Sequence, residues 1–103
     1  WGRAARHPVV RFDNEASAVA TVVEVTAPDQ PGLAFTIADT LAALGLDITF
    51  AKVATAKALA HDVFYVTDER QRKLGEESLA EVEQALLVSL GHGTQRLAKK
   101  EGE

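Results

Sequence analysis

The sequence predicts an α+β fold in which two amphipathic helices cover one face of an antiparallel sheet. Three observations predict it: valine-rich segments that alternate with polar residues, two leucine stripes at helical spacing, and turn residues between these segments. The chain has 103 residues, 47% hydrophobic and 25% charged, which is typical of one globular domain. Cysteine is absent, so a disulfide framework, a thiolate metal site and a cysteine nucleophile are excluded.

The two ends of the chain differ in composition from its middle. We expect residues 1–18 to form an N-terminal arm with an edge strand, residues 19–91 to form the folded domain, and residues 92–103 to form a polar tail. Methionine is absent even at position 1, where Trp1 stands, and we interpret the chain as a domain excised from a longer protein. Neither a secretion signal nor an apolar run of about 20 residues is visible, which predicts a cytoplasmic location and no membrane partner.

Charge is distributed unevenly along the chain. The stretch from Asp13 to Gly91 carries 13 acidic and 5 basic side chains, a net charge of -8. Such a surface repels a phosphate backbone, so no nucleic-acid partner is expected for it. The basic residues Arg3, Arg6 and Arg11 stand at the N-terminal end and are interpreted as part of a solvated linker.

Two strands are predicted before the first helix. Residues 8–13 begin with Pro8, whose missing N–H favours an edge position in a sheet. Residues 21–26 alternate, with Val23 and Val25 on one face, which predicts a half-buried strand.

A segment with two prolines and a glycine, residues 27–32, separates the second strand from the first helix. Asp29 is expected to cap this helix, and Pro31 to lie in its first turn. Gly45 is expected in the left-handed conformation at the C-terminal end. The helix is predicted from an apolar stripe with spacings of four, four and three: Leu33, Ile37, Leu41 and Leu44.

The next two segments predict a hairpin with a short connection over residues 57–59. Residues 47–56 form its first strand, with Ile48 and Phe50 on one face and a bulge where the alternation slips, over residues 51–53. Residues 60–67 form its second strand, one face of which is made by Asp62, Phe64 and Val66.

The second helix is predicted from the stripe Leu79, Val82, Leu86 and Leu90. Two starting points stay open: Gly75, with glutamates in the first turn, or Ser78 in a capping box. Gly91 is expected to end the helix.

This order of elements contains the βαββα core of a ferredoxin-like sandwich. The usual closing strand is not visible in residues 92–103, which have no apolar stripe. We therefore hypothesise that the strand over residues 8–13 takes the vacant edge of the sheet.

No set of catalytic residues is apparent, and no metal site or cofactor is expected in this chain. His7, His61 and His92 stand on separate segments without partners at metal-ligand spacing. Neither a serine in a strand-to-helix elbow nor a glycine-rich phosphate loop is present.

The loop from Asp29 to Gly32 is therefore the candidate functional segment. A strand that runs into a helix start offers free backbone N–H groups and the positive end of the helix dipole. Gly32 lacks a side chain where a ligand carboxylate would approach. Asp29 is able to bind an amino group or to cap the helix, and the residues alone favour capping.

The segment Asp29-Gln30-Pro31-Gly32-Leu33, between a valine-rich strand and a leucine-rich helix, resembles the corresponding segment of ACT domains. The resemblance covers roughly residues 8 to 90. Within that family it is similar to the C-terminal ACT domain of bifunctional uridylyltransferase and uridylyl-removing enzymes, on four further segments: residues 9–17, 51–55, 62–68 and 73–74.

The resemblance implies a non-catalytic regulatory module that binds an amino acid, glutamine, and switches such an enzyme between uridylylation and deuridylylation of the PII protein. Catalytic domains with magnesium cofactors are implied upstream, and the implied partner of the module is a neighbouring ACT domain or a second copy. By the resemblance Gln30 stands where the family usually has arginine. The implied ligand-binding residues are Asp29, Gln30, Pro31, Gly32 and Leu33, with Ile48 and Thr49 as the opposite wall in a paired arrangement.

Two alternatives stay open. In the first alternative, the chain is an amino-acid-binding ACT domain of another metabolic enzyme, such as an aspartate kinase, a phosphoglycerate dehydrogenase or a GTP pyrophosphokinase. In the second alternative, the chain is a structural dimerisation module without a ligand, which would pair through an open sheet edge or a strand face carrying Val63 and Tyr65.

Overall fold

The computed structural model describes residues 7–91, and its elements follow the predicted order. The predicted polar tail, residues 92–103, and the first six residues of the predicted arm lie outside the described residues. Two helices are present, α1 (Leu33–Ala43) and α2 (Glu76–Ser89). The four strands are β1 (Val9–Asp13), β2 (Thr21–Pro28), β3 (Asp47–Ala56) and β4 (Leu59–Thr67).

The strands form one antiparallel sheet in the order β1-β2-β4-β3. This confirms the predicted α+β, ferredoxin-like arrangement of a four-stranded sheet with two helices. It also confirms the hypothesis about the N-terminal strand, because β1 pairs with β2 at the edge that a closing strand would occupy.

The core lies between the helices and the face of the sheet that we call the helix face. The central strands β2 and β4 contribute most of the sheet side of this core because both of their edges are paired. The buried hydrophobic side chains include Val23, Val25, Phe64 and Val66 from the strands and Ile37, Leu41, Val82 and Leu86 from the helices. Among residues 7–91, neither helix is long and apolar enough to cross a membrane.

The start of α1 differs from the prediction. Gly32, with φ 77°, is the N-cap residue, and no side chain caps the helix. Asp29 lies further back because its amide donates a hydrogen bond to the carbonyl of Ala58 (2.9 Å), which holds it at the end of the sheet. The prediction that Asp29 caps α1 was therefore wrong.

The end of α1 agrees with the prediction. Gly45 has a φ of 83°, and its amide donates to the carbonyl of Ala42 at 2.9 Å. The amide of Leu46 donates to the carbonyl of Leu41 at 3.2 Å, which completes a Schellman motif and satisfies two of the last helical carbonyls.

The bulge in β3 lies earlier than predicted, at the register shift between Ile48 and Phe50. Ile48 lies opposite the buried Val66, whereas Phe50 lies opposite Tyr65, so the two residues are on different faces and the prediction of a shared face was wrong. The extra residue, Thr49, allows Ile48 to pack on the core while Phe50 contacts Tyr65 edge to face, with ring centroids 5.4 Å apart.

The β3–β4 turn and the start of α2 follow from local chemistry. The β3–β4 hairpin has a two-residue connection, Lys57 and Ala58, with φ values of 54° and 65°, as a type I′ turn requires. Helix α2 begins at Glu76 after the N-cap Gly75, which confirms the first of the two predicted starts and not the capping box at Ser78.

Candidate functional site

The loop between β2 and α1, residues 29–32, lies at the surface at one end of the sheet. All four of its residues are exposed, whereas Leu33, at the start of the helix, is buried in the core. The hydrogen bond from Asp29 to Ala58 joins this loop to the β3–β4 turn. The loop is thus held at both ends while its backbone remains open to solvent.

Three backbone donors of this loop and of the first turn of α1 have no acceptor among the described residues: the amides of Gly32, Ala34 and Phe35. The neighbouring amides of Leu33 and Thr36 are satisfied by Gln30 and Gly32, at 3.2 Å and 2.9 Å. Free amides at a helix N-terminus, together with the helix dipole, favour the binding of an anionic group.

Gly32 leaves the approach to these amides open. A Cβ atom built on Gly32 would have no heavy atom within 4 Å, and the positive φ of this residue disfavours any side chain there. A small carboxylate is therefore able to come close to the loop backbone.

The carboxylate of Asp29 is unpaired within the part of the chain that the structure describes. It neither caps α1 nor forms an ion pair, and only its backbone amide is bonded. This leaves one negative charge beside three free amide donors, an arrangement that suits a ligand carrying both signs of charge.

Two shallow cavities flank the loop, and both are lined by Gln30 and Leu90. One measures about 270 Å³ and also touches Pro31 and Thr36. The other measures about 220 Å³ and also touches Asp29. Cavities of this size fit a small metabolite rather than a drug-sized ligand.

Ile48 and Thr49 lie at the opposite end of the sheet from this loop. The loop follows Pro28, whereas Ile48 pairs with Val66, which pairs with Thr21 at the start of β2. Seven ladder steps separate the two ends, roughly 23 Å at the usual rise of a strand. The structure therefore brings together the five predicted loop residues but not Ile48 and Thr49 within one chain.

Asp62, on β4, was not assigned to the site by the sequence reasoning. Its side chain is 1% exposed on the helix face, and neither carboxylate oxygen has a hydrogen-bond partner among the described residues. Burial raises the pKa of Asp62 above its usual range, and the nearby charge of Asp29 raises it further. The backbone amide of Ala54 lowers this pKa. The sequence signal for a buried acidic residue was the position of Asp62 on the same face of the predicted strand as the apolar residues Phe64 and Val66.

The sheet separates the neighbouring residues His61 and Asp62. His61 is exposed there, with its Nδ1 atom 2.9 Å from the hydroxyl of Thr26, while Asp62 faces the helices. Within residues 7–91, no group of three or more histidine, aspartate and glutamate side chains is placed to hold a metal ion.

Comparison with known sequences identifies the family. The family model described as the ACT domain matches residues 21–84, more than half of the chain. The chain belongs to the ACT domain family. The matched segment runs from the start of β2 into α2, so it includes the loop with the free amides and the strand that carries Asp62.

Curated relatives narrow the comparison further. This ACT domain is 42% identical over 84 residues to a bifunctional uridylyltransferase/uridylyl-removing enzyme of Azospirillum brasilense, which covers 81% of this chain and 9% of that protein. It is 38% identical over 81 residues to the enzyme of that name from Pseudomonas aeruginosa strain LESB58, covering 79% of this chain and 9% of that protein. The chain thus spans about a tenth of the length of these relatives.

Proposed function

We propose that this ACT domain is the regulatory module of a bifunctional uridylyltransferase/uridylyl-removing enzyme and that it binds an α-amino acid, glutamine, at the loop of residues 29–32. The observation that carries the proposal is the unpaired Asp29 carboxylate beside the three free amides of Gly32, Ala34 and Phe35. The similarity to enzymes of that name supports the choice of parent.

The two signs of charge at the loop match a zwitterion. The amides at the start of α1 donate hydrogen bonds to the ligand carboxylate, and Asp29 accepts hydrogen bonds from the ligand ammonium group. Gln30, at the wall of both flanking cavities, faces the space for the ligand side chain with an amide group of its own. An amide-bearing ligand is favoured at such a wall because each amide supplies both a donor and an acceptor.

Pairing of two ACT domains along β3 completes the site in this proposal. β3 is an edge strand of ten residues whose positions from Thr49 to Ala56 are all exposed. If two copies pair antiparallel about the middle of β3, Ile48 and Thr49 of one copy lie beside residues 54–56 of the other. Those residues stand at the loop end of the sheet, so the second copy, or a neighbouring ACT domain, supplies the opposite wall.

Regulation follows from differential binding in this mechanism. Glutamine binds one global state of the parent more tightly than the other, and this difference in affinity shifts the parent between adding and removing the uridylyl group on the PII protein in the cytoplasm. The catalytic work and its magnesium ions belong to domains outside the matched segment.

An NMR titration of the chain with glutamine, glutamate, serine and valine tests the proposal. We expect saturable amide shifts at Gly32, Ala34 and Phe35 with glutamine and much smaller shifts with the other three amino acids. Asp29→Asn should weaken glutamine binding about tenfold or more, since it removes a charge-assisted contact.

Asp39→Asn is the matched control, because it makes the same change at an exposed position in the middle of α1. Equal weakening by both variants would show a general charge effect and argue against a contact at Asp29. If no amino acid shifts these amides at millimolar concentration while the chain forms a dimer, the structural dimerisation module is favoured instead.

A further inference from the structure

Asp62 is a buried acidic residue without a partner on either oxygen. Buried carboxylates in proteins are nearly always hydrogen-bonded, since an unpaired one loses its solvation and gains nothing in return. The backbone amide of Ala54 lies near enough to lower the pKa of Asp62, but neither it nor any other described group forms a hydrogen bond with either oxygen. The position therefore calls for a donor from outside the chain.

The place of Asp62 in the sheet indicates where that donor comes from. Asp62 pairs with Val25 on one side and Val53 on the other, on the helix face. The next row of that face, towards the loop, consists of small side chains: Ala27, Ala60 and Thr55. No bulky side chain of this row stands between Asp62 and the loop end of the sheet.

Solvent also lies close to Asp62 on the side of the edge strand. Val53, its cross-strand neighbour on the same face, is 57% exposed. Adjacent strands lie about 4.8 Å apart, so the solvent-exposed edge of the sheet is about one strand spacing from Asp62.

The carboxylates of Asp29 and Asp62 interact electrostatically, because the charge of Asp29 raises the pKa of Asp62. His61, the other side chain that affects the pKa of Asp62, points to the outer face, where its Nδ1 atom lies 2.9 Å from the hydroxyl of Thr26. Two nearby negative charges repel each other, and a cation between them relieves that repulsion. A primary ammonium group, with three donors, is able to satisfy oxygens of both residues.

We propose that Asp62 is a binding residue of the loop site and that its carboxylate, together with Asp29, receives the primary ammonium group of the ligand. The inference rests on the proposed function, since it names the second acidic contact of that same site. The ligand carboxylate then lies on the amides of the α1 N-terminus, and the buried carboxylate gains the donors that it lacks in the free chain.

The side-chain carboxyl carbon of Asp62, followed by ¹³C NMR over a pH series, tests this in the unmodified chain. We expect the titration midpoint of Asp62 to fall by about one pH unit or more when glutamine saturates the loop amides, because the ammonium group stabilises the charged form. A midpoint that does not move while the amides of Gly32 and Ala34 saturate would overturn the proposal.

Calorimetric titration of variants supplies a second test. Asp62→Asn should weaken glutamine binding about tenfold or more, whereas Glu24→Gln, which removes a negative charge from the outer face, should leave it unchanged. Full affinity in a folded Asp62→Asn variant would overturn the role of Asp62 and leave the loop site standing. If the unmodified chain binds no amino acid at all, the proposed function fails, and this inference fails with it.

Discussion

The amide of Asp29 donates a 2.9 Å hydrogen bond to the carbonyl of Ala58, and this bond joins the candidate ligand loop to the β3–β4 turn. The loop therefore begins at a fixed point of the sheet rather than at the cap of a helix. Its position depends on a turn whose two central residues, Lys57 and Ala58, both have positive φ values. Changes in that turn are expected to act on stability first and on the loop through this bond.

Ala58→Gly should stabilise the domain. Ala58 has a φ of 65°, a conformation that is unfavourable for residues with a Cβ atom and readily adopted by glycine. We expect the free energy of unfolding, measured by urea denaturation, to rise by about 0.5–1 kcal/mol. The carbonyl that accepts from Asp29 is retained, so glutamine affinity should not change.

Ala42→Gly is the control for this prediction, because it makes the same change at an exposed site within α1. It should lower the free energy of unfolding by about 0.5–1 kcal/mol. A fall in stability for both variants would argue against strain at Ala58.

Asp62→Val should raise the free energy of unfolding at pH 7 by about 1–3 kcal/mol, because it removes a buried carboxylate without hydrogen-bond partners. The pKa of Asp62 is raised by burial from its ordinary value of 3.8, so the folded state binds this proton more tightly than the unfolded state. The loss of stability that the buried carboxylate causes in the unmodified chain is absent below pH 3.8 and grows as the pH rises through the folded pKa of Asp62.

Urea denaturation at several pH values measures this effect. The difference between Asp62→Val and the unmodified chain should be largest above the folded pKa and should shrink towards acid. A difference that does not depend on pH would show that folding leaves the pKa of Asp62 unchanged. If the ammonium site is real, the same variant should be more stable and bind glutamine more weakly.

The contribution of Asp68 to the stability of the domain should depend on pH in the opposite direction to that of Asp62. Its Oδ1 atom accepts hydrogen bonds from the amides of Arg72 and Arg70, at 2.9 Å and 2.8 Å, and the bond from Arg72 is the largest cause of its lowered pKa. Its contribution to stability is present above pH 3.8 and is lost as the pH falls through the folded pKa.

Thermal unfolding of Asp68→Ala tests this prediction. The variant should melt at a lower temperature than the unmodified chain at neutral pH, and the two should converge at strongly acid pH. Glu69→Ala is the control in the same loop, since Glu69 is exposed. Convergence at acid pH for Glu69→Ala as well would point to general charge rather than to the loop bonds.

Asn14→Ala should destabilise the domain through a buried polar network. The side chain of Asn14 donates to the carbonyl of Leu74 at 3.0 Å and accepts from the hydroxyl of Thr21, which in turn accepts from the amide of Leu74 at 2.9 Å. Because Thr21 is fully buried, its loss of a partner should lower the free energy of unfolding by about 1–3 kcal/mol.

A double-mutant cycle with Thr21→Val measures the coupling between these two side chains. We expect an interaction free energy of about 0.5–3 kcal/mol, since residues of one hydrogen-bond network are not additive. Additive effects of Asn14→Ala and Thr21→Val would show that the two residues act independently.

Val53→Lys should prevent pairing along β3. Val53 is 57% exposed on this edge strand, and a charge at the edge of a sheet disfavours the approach of another strand. Sedimentation should show a dimer for the unmodified chain and a monomer for the variant. Val19→Lys is the control, because Val19 is 70% exposed in the β1–β2 connection, away from β3.

Local patterns were sufficient to predict the order of the elements. The stripe of α1, the left-handed glycine after it and the β3–β4 hairpin each depend on a few neighbouring residues, and each was predicted, although the connection of the hairpin is one residue shorter than the predicted residues 57–59. The ferredoxin-like arrangement follows from that order, because few sheets satisfy both the hairpin and the helix connection. The predicted loop residues 29–33 are contiguous, so they remain together in any fold.

Features that depend on distant residues were not predictable in this way. The bulge lies at Thr49 because Ile48 must meet the core while Phe50 meets Tyr65, and only the pairing of β3 with β4 imposes both demands. Asp29 does not cap α1 because Ala58, 29 positions further along the chain, holds its amide.

The burial of Asp62 and the separation of Thr49 from the loop were also decided by tertiary structure. An alternating pattern places Asp62 on the face of Phe64, but only the tertiary structure removes its carboxylate from water without supplying a donor. Similarly, the antiparallel course of β4 places the start of β3 at the far end of the sheet. Burial and distance depend on elements that are remote in sequence, whereas periodicity reports only on near neighbours.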